Sequence, residues 1–93
     1  MTLDLYAIRR YSAWANNDEL GEVGTKSAKV GDEEMPDRIR WIRSYIVKEP
    51  DERLGSICIY EAQDPEAIYE HARRVGMPPI VTTAIIRPDS VNP

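Results

Sequence analysis

The fold of this chain is decided by three consecutive runs of sequence: Trp41-Ile42-Arg43-Ser44-Tyr45-Ile46-Val47, Ile57-Cys58-Ile59-Tyr60-Glu61-Ala62 and Asp64-Pro65-Glu66-Ala67-Ile68-Tyr69-Glu70-His71-Ala72. The first two are rich in β-branched and aromatic residues, which are enriched in strands. The third begins with an aspartate and a proline, which are preferred at the N-cap and at the first position of a helix. The segment 40–78 therefore predicts a strand, a turn, a second strand and a capped helix.

The boundaries of these elements follow from the residues between and after them. Residues 48–53 are polar and contain a proline, so they join strands at 38–47 and 54–62 into a hairpin. In the helix, Ile68, Ala72 and Val75 recur at the spacing of one buried face. Gly76 is placed to cap this helix, and the two prolines that follow at 78–79 end it.

The flanks of this segment complete the predicted domain. Residues 3–9 alternate as a strand does, and residues 18 to about 34 predict a helix after a turn-forming Asn16-Asn17-Asp18 cluster. Residues 80–87 predict a last strand and residues 89–93 a loose tail. The order βαββαβ is typical of a ferredoxin-like α+β domain, in which a four-stranded antiparallel sheet carries both helices on one face. Residues 1–93 are predicted to form one such domain.

Composition and charge exclude several classes of function. The net charge of −4 argues against nucleic acid as a partner, because phosphate binding needs a basic surface. No apolar run approaches the ~20 residues of a membrane-spanning helix, and the N-terminus has no signal-peptide pattern. A single cysteine cannot form an internal disulfide. We therefore expect a cytoplasmic protein without nucleic-acid or membrane partners.

Both faces of the predicted sheet are apolar. An aliphatic face is predicted to contact the helices, and its members are Leu3, Leu5, Ile42, Ile46, Ile57 and Ile59. The opposite face carries four aromatic residues, and its members are Tyr6, Ile8, Trp41, Arg43, Tyr45, Val47, Cys58 and Tyr60. Because so large an exposed apolar patch is unusual in a monomer, we expect a second copy of the chain to cover it, as in a dimeric α/β barrel. The alternatives are coverage by a tail or by the first helix, and a small-molecule pocket lined by these aromatic residues.

Four motifs in the hairpin, the second helix and the last strand form a wider pattern: Trp41…Ser44-Tyr45-Ile46-Val47, Ile57-Cys58-Ile59-Tyr60-Glu61-Ala62, Pro65-Glu66-Ala67-Ile68…His71-Ala72…Gly76-Met77-Pro78 and Val81…Ile86-Arg87-Pro88-Asp89. Over residues 37–89 this pattern resembles a family of small bacterial domains of unknown function. The best-known members of that family are ferredoxin-like dimers reported to bind nickel. Cys58, Glu61 and His71 stand where the family's motif has them. The resemblance implies the ferredoxin-like fold and nickel as the candidate cofactor.

The chain departs from the nickel-binding members of this family in two places. Those members carry a histidine near the end of the first strand, where this chain has Ile8-Arg9-Arg10, and another after the glycine that ends the second helix, where it has Met77. Imidazole is a natural nickel ligand. The loss of two histidines therefore predicts weak or absent nickel binding.

His71 is the centre of the predicted functional site. It is the only histidine of the chain, and imidazole titrates near neutral pH. Because it stands beside the buried face of the second helix, we expect it to be partly exposed in a cleft between helix and sheet. Glu61, predicted to face the helices, is placed to orient His71 or to complete a metal site with it. Cys58, the only cysteine, is either a small buried hydrophobe or, beside a cation or a histidine, a nucleophile.

Three functions are compatible with these residues. A non-catalytic protein that binds a metal or a small molecule, with His71 and Glu61 as metal ligands, is what the resemblance implies. A cofactor-free isomerase, cyclase or monooxygenase of the dimeric α/β barrel type, with His71, Glu61 and Tyr45 as catalytic residues, follows from fold analogy alone. The third function is that of a structural or regulatory subunit. The residues assigned to the pocket or dimer face are Tyr6, Trp41, Arg43, Cys58 and Tyr60.

Overall fold

The computed structural model describes residues 3–77 and 84–86, and two helices lie on one face of an antiparallel sheet. The elements are β1 (Asp4–Trp14), α1 (Asn17–Lys29), a π-helical turn (Val30–Glu34), β2 (Ile39–Lys48), β3 (Leu54–Ala62), α2 (Pro65–Val75) and the short β4 (Ala84–Ile86). β3 pairs with β1 and β2, and β4 pairs with β1 at three positions, which gives the order β2-β3-β1-β4. This mixed α+β arrangement is compatible with a ferredoxin-like fold. The rest of the predicted last strand and the tail lie outside the described residues.

The second helix forms as its sequence predicts. The side chain of Asp64 accepts a hydrogen bond of 2.8 Å from the backbone N–H of Ala67, and Pro65 occupies the first position. Gly76 ends α2 in the left-handed conformation, with φ of 82°, which a glycine adopts without steric cost. The buried face of α2 consists of Ala67, Ile68, His71, Ala72 and Val75. The predicted stripe is therefore confirmed, and His71 is part of it.

The first helix is attached to the core mainly through its C-terminal end. Asn16 caps its start by accepting a hydrogen bond of 3.0 Å from the N–H of Glu19. No residue of α1 is buried, whereas Val30 and Met35, at the two ends of the π-helical turn, belong to the core. The N–H of Met35 bonds to the carbonyl of Val30 at 3.1 Å, which closes that wider turn. Neither described helix has the length and apolarity to cross a membrane.

β1 ends five residues later than predicted because a bulge lets it continue beyond Arg9. Pairing with β3 shifts between Arg10 and Trp14, and Ser12 has a positive φ of 48°. Glu49, which is buried in the β2–β3 turn, stabilises the bulge. Its carboxylate accepts hydrogen bonds of 2.9 and 3.0 Å from Arg9 Nη2 and one of 3.1 Å from the N–H of Ser12.

The predicted assignment of the two sheet faces is wrong for β1 and β3. The register pairs Tyr6 with Tyr60 and Ile8 with Cys58, and these four residues are buried on the face that carries the helices. The opposite, open face carries charged residues, among them Arg43 and Glu61, and its apolar members are Leu5, Ala7, Tyr45, Val47, Ile57 and Ile59. Period-two alternation separates two faces but does not say which is covered when both are apolar. Tyr6 and Tyr60 belong to one core cluster with Ala67, Ile68 and Val75 of α2.

β2 contains a second bulge that the sequence does not predict. Trp41 pairs with Tyr60 and Arg43 with Ile59, so one extra residue, Ile42, is inserted between them. Trp41 is therefore on the helix-bearing side and Arg43 is on the open face, although a regular strand would place them together. The bulge separates two residues that were predicted to share a face.

Candidate functional site

A cavity of about 440 Å³ lies between α1 and the helix-bearing face of the sheet. From α1 it is lined by a stripe at helical spacing, Leu20, Val23, Gly24 and Ser27, together with their neighbours Gly21, Thr25 and Ala28. From the rest of the chain it is lined by Arg10, Trp14, Trp41, Ser44, Ile46, Ser56, Cys58, Tyr60 and Met77. The lining is mostly apolar, and the volume of the cavity falls in the range of small-molecule sites.

Small side chains leave this space unfilled. A Cβ atom added at Gly21 or Gly24 would meet nothing within 4 Å. On the sheet side, the floor includes the serines Ser44 and Ser56, which are short. Protein interiors are otherwise packed at crystal-like density, so α1 stands off the sheet over a space that its own side chains do not occupy.

Arg10 is a buried cation at this cavity. Its side chain continues the Tyr6, Ile8 alternation onto the helix-bearing face and is 5% exposed. Its Nε atom has no hydrogen-bond partner, and none of the ion pairs among the described residues includes it. Trp14, which is 4% exposed, also lines the cavity, and its Nε1 has no partner within the described part of the chain. Buried donors are normally satisfied, so Arg10 and Trp14 stand out as residues that line the cavity and carry a buried N–H group that no described group accepts from.

A chain of hydrogen bonds runs along the sheet side of the cavity. Trp41 Nε1 donates to Ser44 Oγ at 2.9 Å, Ser44 Oγ donates to Cys58 Sγ at 3.1 Å, and Cys58 Sγ donates to Ser56 Oγ at 3.5 Å. A nucleophilic thiolate needs a base or a cation beside it. Both hydrogen-bond partners of the Cys58 sulfur are serines, so these contacts hold the thiol in place and supply no base.

Tyr60 and His71 connect the cavity to α2. The Tyr60 hydroxyl is 3.4 Å from Ser27 Oγ, and burial raises the pKa of Tyr60. His71 lies behind Tyr60, with ring centroids 5.7 Å apart. His71 is 2% exposed, and its Nε2 is 3.0 Å from the carbonyl oxygen of Ser27, which makes this nitrogen the donor. Burial lowers the pKa of His71, the hydrogen bond to the Ser27 carbonyl partly opposes this shift, and the positive charge of Arg10 adds to it.

The structure does not bring the predicted site residues together. The prediction of a partly exposed His71 is wrong, because the ring is buried and joins α2 to α1. The prediction that Glu61 faces the helices is also wrong, because Glu61 pairs with Leu5 in the register and forms an ion pair with Arg40 on the open face. Tyr45 is on that face as well, where its hydroxyl is 3.3 Å from Arg43 Nη1. His71 is therefore separated from Glu61 and Tyr45 by the sheet.

Four of the eight residues predicted for a site, a pocket or a dimer face lie at or behind the cavity. Trp41, Cys58 and Tyr60 line it, and His71 contacts Ser27 and Tyr60 from behind. Tyr6 is buried in the core instead. Arg10 was missed. The signal for Arg10 was available, since it stands two places after Ile8 and so shares the strand face of Tyr6 and Ile8.

A metal site is not formed by the described side chains. Among them, no three histidine, cysteine, aspartate or glutamate residues are grouped closely enough to hold an ion. The hydrogen bond to Ser27 already engages Nε2 of His71. The described donor set therefore does not fit a nickel ion.

Comparison with known proteins identifies the family. No curated protein and no solved structure matches this chain. The sequence profile described as nickel responsive protein SCO4226-like matches residues 6–85, which includes every described helix and the cavity-lining residues. Because this match spans most of the 93 residues, the chain belongs to the SCO4226-like family of nickel-responsive proteins.

Proposed function

We propose that this protein binds a small, largely apolar molecule in the cavity between α1 and the sheet. The observation that carries the proposal is the cavity of about 440 Å³, beneath a helix that has no buried residue of its own. An unfilled apolar space lowers the stability of a fold. A ligand that fills the space would regain the lost contacts, and the two tryptophans of the lining would report its arrival.

Binding of a neutral apolar fluorophore tests this proposal. N-phenyl-1-naphthylamine is expected to bind the folded protein at one molecule per chain, with a rise in its fluorescence. The variant Gly24→Leu places a large side chain in the cavity, where a Cβ has open space, and is expected to weaken binding at least about tenfold. Leucine is also the better helix former, so α1 should remain intact.

The matched control for this test is Glu22→Leu, which adds the same side chain at an exposed position of α1 outside the cavity lining. It should bind the fluorophore as the wild type does. Failure of the wild type to bind, or equal binding by Gly24→Leu and wild type, would contradict the proposed function.

Nickel is expected to bind weakly or not at all, although the chain belongs to a nickel-responsive family. The reason is the donor set, since the described side chains bring no three ligands together and the only histidine is buried and hydrogen-bonded. Isothermal titration with a nickel salt should give no tight, stoichiometric heat. A stoichiometric nickel site that is lost in His71→Gln would overturn this expectation.

We further propose that the protein is a homodimer in which the open sheet faces of two chains pack together. Supporting this, the open face carries Leu5 and Tyr45, which are 46% and 54% exposed, beside the half-buried Ala7, Ile57 and Ile59. A solvated face of an antiparallel sheet carries mainly polar residues, whereas this one combines these apolar side chains with Arg43 and the Arg40–Glu61 ion pair. Two four-stranded sheets packed in this way would form the dimeric α/β barrel expected from the sequence.

Light scattering coupled to size exclusion should give about twice the chain mass of 10.6 kDa. The variant Leu5→Glu places a charge on the open face and is expected to give monomers, because burying an unpaired carboxylate is unfavourable. Lys29→Glu, on the exposed surface of α1, is the control and should leave the dimer intact. A monomeric wild type at micromolar concentration would show that the open face is not a dimer interface.

A further inference from the structure

One uncompensated charge stands at the cavity. Among the described residues that line it, Arg10 alone carries a formal charge. An arginine side chain stays protonated in proteins, and a buried charge without a partner destabilises the folded state. The fold therefore keeps a cation at a mostly apolar cavity while the described part of the chain offers it no carboxylate.

The neighbouring residue Arg9 is a paired cation in the same strand. Arg9 Nη2 donates to both carboxylate oxygens of Glu49 at 2.9 and 3.0 Å, and its guanidinium lies 4.0 Å from the centre of the Tyr11 ring. Because successive residues of a strand face opposite sides of the sheet, Glu49 forms an ion pair with Arg9 and not with Arg10. Arg10 shares the helix-bearing side with Trp14, whose Nε1 is the second buried N–H group without a partner.

We infer that the cavity binds an apolar molecule that carries a single carboxylate, with the carboxylate at Arg10 and the apolar body beneath α1. This inference rests on the proposed function and names the ligand class. The planar fork of a guanidinium matches the two oxygens of a carboxylate. A carboxylate balances one buried positive charge with one negative charge. A phosphate monoester carries close to two at pH 7 and would leave an excess negative charge in the same space.

The remaining lining suits an apolar body and no second charge. Leu20 and Val23 line the cavity from α1, and Met77 lines it after α2. Trp41 and Ile46 line it from β2, where they are 56% and 47% exposed. Tyr60 contributes a hydroxyl that stays protonated at neutral pH, because burial raises its pKa. A chain or ring system without further ionised groups is therefore the ligand that these side chains can desolvate without loss.

Displacement of N-phenyl-1-naphthylamine by octanoate and by 1-octanol tests this inference, because the two molecules share one apolar chain and differ in charge. Octanoate is expected to bind the wild type at least about tenfold more tightly, which is the usual advantage of a charge-assisted hydrogen bond. Octyl phosphate, with the larger charge, should bind more weakly than octanoate. Equal displacement by octanoate and 1-octanol would overturn the inference and leave the proposed function standing. Absence of fluorophore binding would overturn both.

Arg10→Met provides a second test that does not depend on the fluorophore alone. In the absence of ligand this variant should melt at a higher temperature than wild type, because an unpaired buried charge is replaced by an apolar side chain of similar length. It should also bind octanoate no better than 1-octanol. The control Arg9→Met removes a paired arginine, and it should melt at a lower temperature while keeping the preference for octanoate. An Arg10→Met variant that melts lower than wild type and keeps the preference would overturn the inference.

Discussion

Replacing Gly55 by alanine is expected to destabilise the protein by about 3 kcal/mol, a large effect for the removal of one hydrogen atom in favour of a methyl group. A Cβ at this position would lie 2.5 Å from the carbonyl oxygen of Arg10 and 2.8 Å from Arg9 Nη1, and it would also overlap the carboxylate of Glu49. The Arg10 oxygen belongs to the backbone of β1 and can move only with that strand. The methyl group therefore forces apart β1 and the turn that Glu49 joins to it.

Thermal unfolding measures this effect, and a loss of about 3 kcal/mol corresponds to a fall in Tm of about 12 °C or more for a domain of this size. Gly21→Ala is the matched control. A Cβ at Gly21 meets nothing within 4 Å, and alanine is the better helix former, so this variant should be as stable as wild type or slightly more stable. A Gly55→Ala protein with an unchanged Tm would show that β1 and the turn do not approach each other as closely as described.

His71→Ala is expected to cost about 2–4 kcal/mol of stability, because it leaves a space in the buried face of α2 and removes the donor to the Ser27 carbonyl. Urea unfolding followed by circular dichroism measures the change. Arg73→Ala, on the exposed surface of the same helix, should cost far less. Equal stability of the two variants would mean that His71 does not connect α2 to α1.

The same histidine gives stability a dependence on pH. Because burial lowers the pKa of His71, the unfolded chain binds this proton more tightly than the folded protein does. The contribution of the neutral His71 to the free energy of unfolding is complete above the ordinary imidazole pKa of 6.5. It is lost as the pH falls from there toward the lowered pKa of His71 in the folded state. The slope from one such group is at most about 1.4 kcal/mol per pH unit.

The pH range in which His71 changes the stability is separate from the range in which the carboxylates do. Glu49 and Glu70 have pKa values lowered by hydrogen bonds from Arg9 and Arg38, so their contributions are lost only below their ordinary value of 4.5. Between pH 7 and pH 5 the wild type should therefore lose stability, and His71→Gln should be less stable than wild type at pH 7 but show a flatter profile. Parallel profiles would assign the pH dependence to other groups.

The parts of the fold that the sequence predicts are those decided by local chemistry. Asp64, Pro65 and Gly76 specify the two ends of α2 through hydrogen bonds and backbone angles within a few residues of each other. The hairpin follows in the same way from two apolar runs and a polar turn, and its observed strands differ from the predicted ones by at most one residue at either end. These signals depend on no distant residue, so they can be recognised in a single sequence.

The candidate site depends on long-range packing and is only partly predictable. The bulges at Ser12 and Ile42 change which residues share a face, and no local pattern announces them. The two faces of the sheet look similar in the sequence, which does not show which of them the helices cover. Assigning the helices to the wrong face places Glu61 beside His71. Arg10 is the exception, because the alternation itself places this charged residue on the strand face of Tyr6 and Ile8.

The loose attachment of α1 bears on how the folded state opens. A segment with few buried contacts opens at a lower free-energy cost than the sheet beneath it, so its amides exchange with solvent while the core stays protected. A ligand that bound the cavity of the closed form alone would lower the population of the open one. The rate at which proteases cleave α1 would then fall as the ligand concentration rises. Occupancy of the cavity would thereby control the amount of protein.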